Sequence, residues 1–332
     1  MKYIYLCFVI FQIGFIYNQQ LPQFSQFSNN LGIYNASAMG LTDNTSIILG
    51  GRWQMLGFGS EPRSIILGGS TKLNVKSKTN EINSGLRFDE TEYELDTIRK
   101  TNFSHYLGGL LIHDQYGAFG RTGITGNYSL GFNINEDWEA LVGTRLGWSN
   151  FNFNQDKAQV LNVSDPTQIY QGGDVEYDQF IGGGNRRNSF DLGLGLTFVK
   201  DNFLFGAAVN QMTKSYLDIS SSSSVFFDQR MHWNLFTGYT YKIPEICDIQ
   251  GMILLKRMSP APVSIELSLR TIFQNNLWAG LHYRNKASIG IMGGFILSEK
   301  FQLGYSIDIE TTSIRRFSNG GHEIVLNYTF GE

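Results

Sequence analysis

Val263-Ser264-Ile265-Glu266-Leu267-Ser268-Leu269-Arg270-Thr271 is the stretch whose reading decides the fold. Side chains alternate across an extended chain, so Val263, Ile265, Leu267 and Leu269 share one face while Ser264, Glu266, Ser268 and Arg270 share the other. Phe301 to Glu310 repeats the pattern: Phe301, Leu303, Tyr305, Ile307 and Ile309 alternate with Gln302, Gly304, Ser306, Asp308 and Glu310. The same period of two runs through 124–134 and 190–198. A segment with one apolar and one polar face matches the ~9–11 tilted residues that carry a strand across a hydrocarbon layer, with lipid outside and a polar lumen inside.

Working outward from that stretch, alternating segments recur near 45–58, 62–73, 103–113, 117–131, 137–151, 188–199, 203–211, 231–242, 249–258, 263–272, 277–285, 287–297, 300–310 and 321–330. The expected fold is all-β: a transmembrane antiparallel β-barrel of about fourteen strands over 45–332, preceded by an irregular segment over 19–44. Connections at 133–137, 200–202, 244–248, 274–276 and 298–300 are short, whereas 152–187, 212–230 and 311–320 are long. Barrels of this class keep their turns short in the periplasm and their loops long outside, which puts both termini in the periplasm. The long connection 74–102 is out of keeping with that scheme. Trp138, Phe190, Phe203, Trp233, Tyr241, Phe301, Tyr328 and Phe330 sit near segment ends, where interfacial girdles need aromatics. A soluble β-sandwich or lipocalin-like barrel would also alternate, but its core would have to be filled by many of the 37 glycines.

Composition agrees with a strand-rich membrane chain. Of the 332 residues only 6 are proline, 14% are aromatic and 17% are charged, below the roughly 25% of soluble domains. A net charge of −3 with no clustered basic surface excludes a nucleic-acid partner as the expected reading. Lys2 followed by the apolar run Tyr3 to Tyr17 reads as a signal peptide over 1–18, cleaved near Asn18 or Gln19; a retained anchor helix is the competing reading. Cleavage leaves Cys247 as the sole cysteine, so no internal disulfide can form.

No constellation for catalysis, a metal or a cofactor emerges. His322-Glu323 begins like a zinc-protease motif, but Leu326 stands where the second histidine is required and the segment reads as strand. His105, His113, His232 and His282 are scattered and read as solvated or lumen-facing. The carboxylates between Asp89 and Asp96 read as a solvated loop face rather than a calcium site. Parity points Arg52, Arg145, Asp191, Glu266, Arg270, Asp308 and Glu310 inward, giving a lumen of mixed sign that either pairs and closes or lines water. Before the first strand, Pro22, Phe24, Phe27, Leu31, Ile33 and Tyr34 recur among Gln, Ser and Asn, which a mere tether would not need. The expectation is a segment packed into or under the barrel, with Phe24, Phe27 and Arg52 contributing to a plug or partner site.

Several stretches match, in order, the motifs of one known family. Gln19-Gln20-Leu21-Pro22-Gln23-Phe24-Ser25-Gln26-Phe27 is similar to that family's Q-x-P-x-Y-S-Q-Y opening, with phenylalanines for tyrosines. Asn35-Ala36-Ser37-Ala38-Met39-Gly40 stands where the family has N-P-A-Y-A-G, and Arg52-Trp53-Gln54 with Gly57-Phe58 and Pro62 resembles R-x-Q-W-x-G-F…P. Leu277-Trp278-Ala279-Gly280, Gly304-Tyr305-Ser306-Ile307-Asp308 and the closing Gly320 to Tyr328 resemble its L-W-x-G, G-Y-S-Y-D and G-x-H-E-I-x-L-x-Y. Together these stretches resemble the PorP/SprF membrane proteins of Bacteroidetes, and the resemblance implies a non-enzymatic outer-membrane barrel working with the type IX secretion and gliding machinery. It further implies help in secreting or anchoring a large surface adhesin through that adhesin's C-terminal domain. An outer-membrane porin or small-solute transporter is the alternative, favoured by the polar inward faces.

Overall fold

The computed structural model describes residues 23–57, 61–74, 103–154, 157, 186–213, 216–218, 226–228, 230–273, 276–298 and 300–330. The expected signal peptide at 1–18, nearly all of the 74–102 connection and the 89–96 carboxylates lie outside them.

The strands are β1 (Thr45–Trp53), β2 (Arg63–Leu73), β3 (Ser104–Tyr116), β4 (Phe119–Asn133), β5 (Glu139–Phe153), β6 (Arg186–Lys200), β7 (Phe203–Asn210), β8 (Tyr216–Asp218), β9 (Phe226–Asp228), β10 (His232–Ile243), β11 (Cys247–Met258), β12 (Ser264–Phe273), β13 (Leu277–Arg284), β14 (Ser288–Ser298), β15 (Phe301–Glu310) and β16 (Gly321–Phe330). All but β8 and β9 form one closed antiparallel barrel of fourteen strands. Closure comes from β1 pairing with β16, from Thr45 opposite Phe330 to Trp53 opposite His322. A closed sheet has no unpaired edge, which is the condition for a β structure to sit in hydrocarbon. No helix among the described residues is long and apolar enough to cross a membrane.

The alternation sorts side chains as the membrane demands. On β12, Ile265, Leu267 and Leu269 are exposed while Glu266, Ser268 and Arg270 are buried. Around the wall Leu107, Leu146, Leu194, Leu281 and Ile291 lie bare on the outside, an arrangement that only a lipid surround makes favourable. The two-residue turn between β3 and β4 places Gly117 at φ +58, with nothing near the Cβ it lacks. Glycine is there for the left-handed conformation that tight hairpins need.

Two features differ from the reading of the sequence. The connection after β7 carries its own small hairpin, β8 paired with β9, which no alternation marks because each strand is only 3 residues long. Of the four histidines read as solvated or lumen-facing, His105 and His113 lie on the outer wall, as does His322. His105 meets the Tyr128 hydroxyl at 2.6 Å, His322 meets that of Tyr305 at 2.5 Å and His113 meets that of Thr122 at 2.9 Å. Each lies near a strand end, where a hydroxyl on the neighbouring strand satisfies the ring in place of water. Only His232 and His282 are buried inside.

The hydrophobic core sits within the barrel. Phe24, Phe27, Leu31, Ile33, Tyr34, Ala38 and Met39 pack against Ile66, Leu110, Phe236, Met252 and Leu254 of the inner wall. Residues 23–41 thus occupy the lumen, folded as three short 3-10 turns at Phe27–Asn29, Leu31–Ile33 and Ala36–Leu41, and 42–44 are exposed. The chain then leaves the lumen where β1 begins.

Candidate functional site: the occupied lumen

A fourteen-strand barrel encloses more space than its own inward side chains fill, and here the N-terminal segment fills it. Three inward arginines on three different strands hold that segment along its length. Arg52 of β1 reaches Ser25, Arg145 of β5 reaches the carbonyls of Gly32 and Ile33, and Arg270 of β12 reaches Asn29.

The first contact is the centre of a buried charged node. Arg52 donates to Asp308 at 2.5 Å and to Glu323 at 2.9 Å, and all three side chains are almost fully enclosed. Glu323 in turn accepts the backbone N–H groups of Ser25 at 2.6 Å and Gln26 at 2.9 Å. The Ser25 hydroxyl donates to Asp308 at 2.5 Å, and His282 approaches the other oxygen of that carboxylate at 3.4 Å. Arg52 and Glu323 are direct cross-strand partners across the seam that closes the barrel. The segment's first turn is therefore tied to the barrel's own closing point by charge-assisted hydrogen bonds.

A second node lies close by. Arg284 donates to one oxygen of Glu266 at 3.2 Å while its Nε lies 3.1 Å from the other, and Lys256 also contacts that carboxylate. One cation meets two anions in the first node and two cations meet one anion in the second, so the pair balances when His282 is neutral. Tyr34 lies beside the second node, its ring under the Lys256 ammonium at 5.6 Å, and its hydroxyl accepts from the N–H of Phe24, the residue before Ser25, at 3.4 Å. Burial, with Glu266 adding to it, pushes the Tyr34 phenol far above its ordinary value, so the group stays neutral.

Further along, the anchoring is neutral. The Tyr34 carbonyl accepts from Asn210 at 2.8 Å and Asn234 at 2.9 Å. Asn35 caps the third turn by accepting from the Ser37 N–H at 2.9 Å, and donates to Leu196 O at 3.1 Å and to the Thr197 hydroxyl at 3.2 Å. Close approach requires glycine on the wall: a Cβ at Gly143 would run into the backbone of Ser37, and one at Gly195 into the Asn35 amide. Gly304 makes the same room for Gln26. At the exit, Asp43 pairs with Lys72 at 2.9 Å and accepts from the Tyr106 hydroxyl at 2.8 Å.

The sequence-derived residues fall into two groups. Phe24 and Phe27 are buried in the lumen core, and Arg52, Arg145, Arg270 and Asp308 bond to the segment. Glu266 binds Arg284 and Lys256, and the Lys256 ammonium lies over the Tyr34 ring of the segment. Asp191 and Glu310 point inward and are buried, but neither bonds to the segment among the described residues. Sequence reasoning passed over Ser25, Asn35, Glu323, His282 and the three glycines. Glu323 could have been found by laying β16 beside β1, since that register sets it opposite Arg52.

A family model for the type IX secretion system membrane protein PorP/SprF matches residues 16–328, nearly the whole chain. The chain belongs to the PorP/SprF family. Its location is the outer membrane, in accord with that family and with the lipid-facing barrel. Solved barrels resemble the fold of this PorP/SprF protein only distantly. The CymD monoaromatic hydrocarbon channel gives a TM-score of 0.49 at 11% identity over 93% of this chain and 94% of its own. The Pseudomonas putida toluene transporter TodX gives 0.47 at 11% over 90% and 93%, and the Acinetobacter baumannii outer membrane protein Omp33 gives 0.44 at 7% over 87% and 99%. No curated protein matches the sequence.

Proposed function

We propose that this PorP/SprF protein works as a closed, non-enzymatic outer-membrane barrel that helps secrete or anchor a large surface adhesin through its C-terminal domain. In this reading the barrel serves the type IX secretion and gliding machinery as an attachment point, and a signal peptide over 1–18 is removed on export. The observation that carries the reading is the occupied lumen. A solute pore needs continuous water-filled space, whereas residues 23–41 fill this interior with an apolar core and bond to β1, β5, β6, β7, β10, β12, β15 and β16. Family membership supports the association with the secretion machinery, and the adhesin is the finer part of the proposal.

The test is recovery of the tagged barrel from outer membranes of its own host after mild solubilisation. One large secreted protein should co-purify with the intact barrel and be lost when residues 23–40 are deleted. Recovery of the barrel alone, together with uptake of small solutes that depends on it, would overturn the proposal in favour of a transporter.

A further inference from the structure

The outer wall carries a feature that plugging does not involve. Register places Leu194, Val209, Trp233 and Arg257 in one row across β6, β7, β10 and β11, and Leu196, Ala207, Leu235 and Leu255 in the row beneath. Small Ala207 lies between larger neighbours on both sides. The result is an apolar groove of about 450 Å³ on the lipid-facing surface, with Arg257 at its rim.

Arg257 is unusual for its position. Among the described side chains, the permanent cations on outward strand positions are Arg63, Lys200 and Arg257. Arg63 donates to Gln115 at 2.6 and 3.1 Å, and Lys200 pairs with Asp137 at 3.0 Å. Arg257 is exposed and has no ion pair or hydrogen bond among the described residues. It stands one residue before the end of β11, directly opposite Trp233, on the side of the barrel that bears the long connections. Long connections mark the outward-facing end of such barrels, so the guanidinium lies at headgroup height of the outer leaflet. An unpaired arginine above an apolar groove recognises a ligand with an anionic head and a hydrocarbon tail.

We propose that this groove is a binding site for a phosphorylated acyl lipid of the outer leaflet, its phosphate on Arg257 and one chain along Ala207. A second dip of about 400 Å³ at Gly293, among Ile291, Phe295 and Tyr305, has no permanent cation beside it and serves as the internal comparison.

The experiment is native mass spectrometry of the folded full-length mature barrel released from detergent in the presence of lipid A. Phosphate-free lipid A and inorganic phosphate are the parallel probes. Lipid A should remain bound and phosphate-free lipid A should not. Occupancy should fall about tenfold in Arg257→Glu, the loss expected for one charge-assisted contact. Ala207→Phe should fill the groove and lower occupancy similarly, and Gly293→Phe should leave it unchanged. If Arg257→Glu fails to give the heat-modifiable folded form, Arg257→Gln is read instead. Equal retention of the phosphate-free lipid, displacement by inorganic phosphate, or equal occupancy in wild type and the Arg257 variant would each overturn the proposal.

Discussion

The two halves of the lumen segment are held by different physics. Around Ser25 and Gln26 the wall offers charge: one guanidinium, two carboxylates and the backbone N–H groups they draw in. Around Asn35 and Ser37 it offers shape: absent side chains at Gly143 and Gly195, and neutral hydrogen bonds to Leu196 and Thr197. A buried charged contact is costly to break because removing one partner strands the other without water, whereas a neutral contact loses little beyond the bond itself. The charged end should therefore behave as a latch that is fully closed or fully open. The glycine-seated end should loosen by degrees.

The largest expected effect breaks that latch. Arg52→Ala leaves Asp308 and Glu323 facing each other unpaired and should cost about 3–5 kcal/mol of the hold on the first turn. Hydrogen exchange of the folded barrel should speed up over residues 24–30 while residues 35–39 stay protected. Loss of protection over both stretches at once would show that the two ends are one unit. Next comes the seat. Gly195→Leu forces a side chain into the space of the Asn35 amide and should cost about 1–3 kcal/mol, the range for overpacking. Here the exchange pattern should reverse, with 33–39 exposed and 24–27 protected; an unchanged pattern would remove the close-approach argument.

A smaller change sharpens the same contrast. Asn35→Ala removes a cap and three wall contacts at a cost of about 1–2 kcal/mol. Its effect on the barrel's heat-modification temperature should add to that of Arg52→Ala, because sites without shared partners behave independently. Marked non-additivity would mean that charge and shape are coupled. The smallest effect lies at the exit. The hydrogen bonds from Lys72 first and Tyr106 second hold the Asp43 carboxyl below its ordinary range. A lowered carboxylate pKa stabilises above the unfolded value and fades as pH falls through the folded one, so this contact weakens only in acid below about pH 4. The pair is largely exposed and contributes well under about 1 kcal/mol. Asp43→Asn should abolish any acid-induced rise in exchange at residues 41–45 and do little at neutral pH.

How far the sequence speaks follows from the same contrast. Lipid enforces alternation at every outward position, so the fourteen strands and their faces are legible locally, as β12 shows. Pairing inside the lumen is not local. Arg52 and Glu323 are 271 positions apart and become neighbours only through the register of the closing seam. The glycines mislead for a related reason. In Gly193-Leu194-Gly195-Leu196 the leucines announce a lipid face, while Gly195 looks like missing volume until the chain's own N-terminal segment is known to fill it. The outer-wall histidines are hidden likewise, because the hydroxyl that satisfies each belongs to the neighbouring strand.

Whether residues 23–41 close the lumen is read from single-channel conductance in planar bilayers. Intact protein should insert and remain closed, and deletion of residues 23–40 should give a barrel of unchanged heat-modifiability with large, steady openings. A wide conductance from the intact protein that the deletion leaves unchanged would contradict the account.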